Sequence, residues 1–178
     1  MKASRHLPIY WSQLEFEDWR LYLAATEKGL CFVGSQGKGF GELAQWAERR
    51  FTSTPLVEDK EKLLPYETEL TEYFEGTRKD FSLSSDYQGT EFQVAVWNAL
   101  CEIPFGERRT YSEIASRINR PAAVRAVGAA IGANPVLITV PCHRVVGKNG
   151  TLTGYRGGLE MKTTLLNLEQ QGFFQNEP

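Results

Sequence analysis

Pro141-Cys142-His143-Arg144 sets a thiol beside an imidazole and a guanidinium. The thiolate is the reactive form of cysteine, and a nearby base or positive charge stabilises it. Adjacent side chains diverge in a regular strand, so His143 reaches Cys142 only if the chain turns after Pro141. On these residues alone a lone cysteine is more often a small apolar core residue. A second clue lies in the segment from Leu159 to Gln171. Met161, Leu165 and Leu168 recur there at i, i+4 and i+7, and Glu169 follows at i+8 on the same helical face. A carboxylate on an apolar face is costly unless paired or hydrogen-bonded. Glu169 is therefore either an edge position near a helix end or a group that polarises a histidine or water beside Cys142. Cys31, between Leu30 and Phe32, and Cys101, beside Leu100, read as core residues.

The elements that must position these residues fall into two halves. In the first, YWSQLEF, WRLYLAAT and LCFVGS are strand-like, with Glu27-Lys28-Gly29 as a hairpin loop. GELAQWAERRF reads as a helix. PYETELTEYFEG reads as another, with Pro65 near its start and Gly76 just past its end. Residues 77–90 lack a sustained period and read as a linker. In the second half, Thr90 can cap a helix whose stripe is Phe92, Val96, Leu100 and Ile103. Thr110 and Glu113 form a capping box for a short helix that ends at Asn119-Arg120-Pro121. Pro121 then suits the first turn of AAVRAVGAAIGA, whose side chains are mostly small and whose single charge is Arg125. Two short helices joined by a tight turn have helix-turn-helix spacing. VLITV (136–140) reads as a buried strand or extended segment.

Composition excludes several classes. Of 178 residues, 42% are hydrophobic and 24% charged, which is ordinary globular composition. No apolar run approaches the ~18–20 residues of a membrane helix, and the N-terminal stretch reads as no secretory signal. A cytoplasmic chain is expected. Three cysteines and two histidines suit neither a disulfide framework nor a zinc cluster, so no cofactor and no metal is expected. The glycines of GKNGTLTGYRGG are not followed by the Lys-Ser/Thr of a phosphate-binding loop. Formal charge is −2 overall. Within residues 103–156, however, Arg108, Arg109, Arg117, Arg120, Arg125, Arg144, Lys148 and Arg156 face only Glu107 and Glu113. Such a stripe reads either as an uneven solvated surface or as a polyanion-docking face.

PCHRVV (141–146), with GTEFQVAVWNAL, IPFGERRTYSEIA, RAVGAAIGANP and GYRGGLEMKTTLLNLE in the same order, resembles the 6-O-alkylguanine-DNA alkyltransferases (methylated-DNA–protein-cysteine methyltransferases). The likeness covers residues 86–171 strongly and the first half by layout. It implies a ribonuclease H-like α+β domain over 1–85 and a mainly helical helix-turn-helix domain over 86–178. A monomer is expected by default. The likeness implies a protein that binds duplex DNA in the minor groove, flips an alkylated guanine and moves the alkyl group to Cys142, with 4-O-alkylthymine as a further candidate substrate. His143 is then the base, acting through a water, with Glu169 orienting it. Asn134 holds the turn that shapes the site. Tyr111 rotates the nucleotide and donates to the base, and Arg125 fills the vacated stack. Groups near Val145, Tyr155 and Arg156 line the pocket. Leu137 stands where the mammalian type has a second proline, which implies weaker reaction with bulky benzyl-type guanines. Two alternatives are a helix-turn-helix module without chemistry and a cysteine hydrolase.

Overall fold

The computed structural model describes residues 7–171. The other histidine, His6, lies outside the described residues. Three strands follow in succession, β1 (Ile9–Phe16), β2 (Trp19–Thr26) and β3 (Gly29–Val33). They pair as antiparallel neighbours through two-residue loops at Glu17-Asp18 and Glu27-Lys28. Gly29, at φ +154°, is required at its position: a Cβ there would sit 2.4 Å from the Ser84 carbonyl oxygen. Helix α1 (Phe40–Arg50) follows, then β4 (Leu56–Glu58) and helix α2 (Lys60–Phe74). β4 pairs in parallel with β1, giving the order β3-β2-β1-β4.

Helix α1, through Leu43 and Trp46, covers one face of the sheet around Ile9, Ala24 and Phe32. The other face, with Leu14, Leu21 and Leu23, packs on Leu63, Leu70 and Tyr73 of α2 and continues without a break into the second half. That half comprises α3 (Glu91–Cys101), β5 (Arg109–Thr110), α4 (Tyr111–Arg117), α5 (Val124–Gly132), β6 (Val145–Val146) and α6 (Leu159–Gln171). A one-turn 3-10 helix, Cys142–Arg144, runs directly into β6, which pairs in parallel with β5. The α+β class expected from the sequence is the class observed.

Local signals positioned α3 and α4 well. Thr90 and Gln93 form a reciprocal capping box on α3, and Thr110 and Glu113 form one on α4. Val96, Leu100 and Ile103 are buried as their spacing requires, and Trp97 is buried beside them, donating from Nε1 to the Ala130 carbonyl at 2.8 Å.

Several expectations need correction. Helix α2 starts five residues before Pro65, where the Asp59 side chain accepts from the Lys62 N–H. Pro65 is thus interior, but it lies on the exposed face, where water can satisfy the carbonyl it leaves unpaired. Pro121 lies in the turn before α5 and outside its first turn, and Asn119 takes the left-handed conformation at φ 59°. The segment 136–140 is a buried turn and no strand. Only Val136 bridges to Val33, and Ile138 has φ 70°. The stretch 77–90, read as a linker, is held against the sheet. Ser84 accepts from the Leu30 N–H and Asp86 donates to the Leu30 carbonyl, which covers the open edge of β3. Cys101 is exposed and therefore outside the core.

Arg156 fastens the halves together. Its guanidinium donates to the carbonyls of Asn134, Pro135 and Val33 and pairs with Glu42 at 2.6 Å. A lysine cannot reproduce that planar fork. Arg156→Lys is expected to lower the unfolding free energy by roughly 1–3 kcal/mol, read from urea denaturation at neutral pH.

Candidate active site

The 3-10 turn after Pro141 does what a strand would not. It sets consecutive side chains around a tight arc, so Cys142, His143 and Arg144 are all buried side by side. Cys142 is only 2% exposed. Its Sγ accepts from Asn134 Nδ2 at 3.3 Å. Asn134 is wholly buried and anchors the whole turn. The same Nδ2 reaches the carbonyls of Val136 and Val140, while Oδ1 accepts from the Val136 N–H at 2.9 Å. One amide therefore holds both the backbone curve and the sulfur, which is why Ile138 persists in a conformation that β-branched residues avoid. Burial pushes the Cys142 thiol up from its ordinary value; the Asn134 hydrogen bond and the charges of Arg156 and Lys162 offset part of that rise.

His143 Nε2 meets Glu169 Oε2 in a short contact. The carboxylate also accepts from Tyr73 OH at 2.7 Å, Arg144 Nε at 2.7 Å and the Gly106 N–H at 3.0 Å. Burial opposes the charge on Glu169, yet His143 and Arg144 hold its carboxyl down at about 2. An ionised carboxylate only accepts hydrogen bonds, so Nε2 carries the ring proton. The other ring nitrogen, Nδ1, is buried and has no hydrogen-bond partner among the described residues. It is the nitrogen free to take a proton. Burial lowers the pKa of His143, with Glu169 pulling the other way, so the imidazole is a neutral base near neutral pH.

Of the remaining sequence candidates, Val145, Tyr155 and Arg156 border this centre, whereas Tyr111 and Arg125 stand on α4 and α5. Val145 follows the turn in β6 and is buried. The Tyr155 hydroxyl is buried without a partner among the described residues, and burial first, then Cys142, pushes its pKa well above 10. Tyr111, at the first position of α4, shares a hydrogen bond with Thr153 at 2.8 Å. Its ring lies 3.9 Å from where a Gly128 Cβ would stand on α5. Arg125 is exposed on α5 together with Ala126, Ala129 and Gly132, so the outward face of that helix is small-sided with one cation. The Arg156 side chain turns toward the sheet, leaving its backbone beside Tyr155. Leu137 is wholly buried, close to Gly157.

The basic stripe is weaker than its formal count. Arg144 and Arg156 are consumed internally, Arg109 pairs with Glu107, and Arg117 pairs with Glu102. Arg108, Arg120, Arg125 and Lys148 are left in the stripe. Sequence reasoning also missed two groups. Tyr73 carries no spacing signal that separates it from the other buried residues of α2. Lys162 is 1% exposed, and its Nζ donates to the carbonyls of Val145 at 2.6 Å and Thr153 at 3.3 Å. Its spacing of three before Leu165 and seven before Glu169 on α6 was the available signal. Among the described residues no cluster of His, Cys, Asp and Glu could hold a metal, and no helix is long and apolar enough to cross a membrane.

Comparison with known proteins adds to this geometry. Residues 91–171 match a family model described as 6-O-methylguanine DNA methyltransferase, DNA binding domain. Residues 9–87 match 6-O-methylguanine DNA methyltransferase, ribonuclease-like domain. The inducible methylated-DNA–protein-cysteine methyltransferase of Bacillus subtilis is 66% identical over 163 residues, covering 92% of this chain and 91% of that protein. A methylated-DNA–protein-cysteine methyltransferase of Methanosarcina mazei is 50% identical, covering 91% and 98%. A crystal structure of Mycobacterium tuberculosis OGT in complex with DNA superposes with a TM-score of 0.79 at 37% identity, covering 92% of this chain and 94% of that one.

The Glu169 network has a pH consequence. A carboxyl held near 2, against 4.5 for an ordinary one, stabilises the fold above about pH 4.5 and loses that contribution as pH falls toward 2. Glu169→Gln is expected to be less stable at neutral pH but to show a shallower loss of stability across that window, measured by chemical denaturation at stepped pH.

Proposed function

Because the chain belongs to the methylated-DNA–protein-cysteine methyltransferase family, we propose that Cys142 is its alkyl acceptor. The activity is DNA repair by transfer of an alkyl group from DNA to a protein cysteine, and DNA is the partner. The observation that carries the assignment is the pairing of a buried thiol, held by Asn134, with a base already oriented by Glu169 on the same 3-10 turn. Among the described cysteines, Cys31 is buried in the sheet core and Cys101 has no such base beside it.

The substrate of this reading is 6-O-alkylguanine in duplex DNA, with 4-O-alkylthymine a further candidate. Attack is at an sp³ carbon. The thiol proton passes to His143 Nδ1, through a water. Sulfur then forms the new C–S bond as the C–O bond breaks, and the guanine oxygen leaves with hydrogen-bond help from Tyr111. Glu169 stabilises the imidazolium. The product is a thioether without a ready hydrolysis route, so each molecule reacts once. The base reaches the sulfur by flipping out of the duplex, at a cost of a few kcal/mol that is lower for a damaged pair. The small outward face of α5 supports close approach to a minor groove, with Arg125 filling the vacated stack. Val145, Tyr155 and the Arg156 backbone line the pocket, and Asn134 keeps its turn. The reading also takes residues 1–85 and 86–178 as the two domains, and takes the protein to act as a monomer in the cytoplasm.

The test is transfer of methyl label from duplex 6-O-methylguanine to denatured protein. Label is expected to plateau at about one per molecule, as a single-turnover acceptor requires, and to be absent in Cys142→Ala. Continued turnover without a stable adduct would favour a hydrolase, and DNA binding without label would favour a non-catalytic module. A methyl added at a site only 2% exposed also overpacks it. The methylated protein is expected to be less stable by roughly 1–3 kcal/mol, seen as a lower thermal midpoint after reaction.

A further inference from the structure

The carboxylate that orients His143 is held from both halves of the chain. His143 Nε2 and the Tyr73 hydroxyl donate to the same oxygen, Glu169 Oε2. Tyr73 comes from α2, in the ribonuclease-like half, and is fully buried. Its ring is wedged among Phe74, Phe81 and Phe105. For packing alone a phenylalanine would serve there. The hydroxyl instead places a neutral donor at a carboxylate oxygen in the heart of the second half.

We propose that Tyr73 is a positioning residue that sets the basicity of His143 through its hydrogen bond to Glu169 Oε2. This rests on the reading of Cys142 and His143 as acceptor and base. A donor at Oε2 draws negative charge from the oxygen that faces the imidazole, so a proton on Nδ1 is held less tightly. The ring then stays neutral until the thiol proton arrives.

The other groups around the pair do not duplicate this effect. Arg144 and the Gly106 N–H bond the opposite oxygen, Oε1. Lys162 and Arg144 act on His143 by charge, and Tyr155 lies near Glu169 without a hydrogen bond from its hydroxyl. Cys142 precedes His143 on the turn, and its Sγ is bonded to Asn134. Burial and the neighbouring carboxylate push the Tyr73 phenol well above 10, so it remains a donor throughout the working range.

The experiment compares full-length wild type, Tyr73→Phe and Cys142→Ala. Single-turnover transfer from methyl-labelled duplex is followed from about pH 5 to 9, the range in which a histidine titrates. In Tyr73→Phe the oxygen facing His143 regains charge, so the imidazolium is favoured and its pKa rises. The acid limb of the rate profile is expected to move up by roughly 0.5–1 unit, with about one label per molecule retained as a single-turnover acceptor requires. The chain has two histidines, so His143 can be titrated directly by imidazole nitrogen NMR, where the same upward shift is expected. A fluorotyrosine placed at position 73 is a stronger donor and shifts the midpoint the opposite way.

An unchanged midpoint in both variants, or a uniform slowing at all pH values, overturns the proposal and leaves Tyr73 a packing residue. Failure of the transfer reading looks different: wild type takes no label, or Cys142→Ala takes it equally. The NMR titration then still decides whether Tyr73 controls His143.

Discussion

A carboxylate at 1% exposure is an expensive object, and the second half of this protein is arranged around making one tolerable. Glu169 sits on the buried stripe of α6, where an isolated charge would cost several kcal/mol. Its oxygens are satisfied by α2 through Tyr73, by the loop after α3 through Gly106, and by the 3-10 turn through His143 and Arg144. Arg144 in turn donates to the Ile103 carbonyl at 2.6 Å. Four parts of the chain that are remote in sequence must therefore arrive together. That requirement explains why the hydrophobic core runs unbroken from the sheet into the helices.

The sulfur depends on a second constraint of the same kind. Asn134 bonds two carbonyls, one N–H and Cys142 Sγ, so the curve of residues 134–142 and the placement of the thiol are one structural fact. Arg156 then ties the Asn134 carbonyl to the first half. Burial keeps the thiol protonated at rest, while Lys162 and Arg156 supply fixed positive charge nearby. A thiolate at this position therefore appears only when its proton has somewhere to go.

What the residues disclosed in advance follows from how local their signals are. The Thr90 cap, the Thr110 capping box, the α3 stripe and the position of Glu169 on α6 are visible because i, i+3, i+4 and i+8 relations are fixed by helix geometry. The strand β4 was invisible because three residues paired in parallel to β1 carry no periodicity of their own. VLITV has β-branched composition, and the Asn134 hub overrode it. Tyr73 and Lys162 escaped for another reason. Their roles are set by partners 96 and 17 residues away, and one hydroxyl or ammonium on a buried face looks like any other. The basic stripe is thinner in the fold than in the sequence because formal charge counts arginines that are spent inside the fold.

The burial of Cys142 has a consequence at the scale of the cell. With its thiol inside the core, only a folded molecule has Cys142, His143 and Glu169 in register. If each folded molecule reacts once, repair capacity is a headcount of intact copies rather than a rate. A loss of one or two kcal/mol that would merely slow a recycling enzyme instead changes steady-state abundance several-fold, and with it the number of lesions a cell can clear before new synthesis. Selection on such a protein falls on the persistence of its fold as directly as on its chemistry.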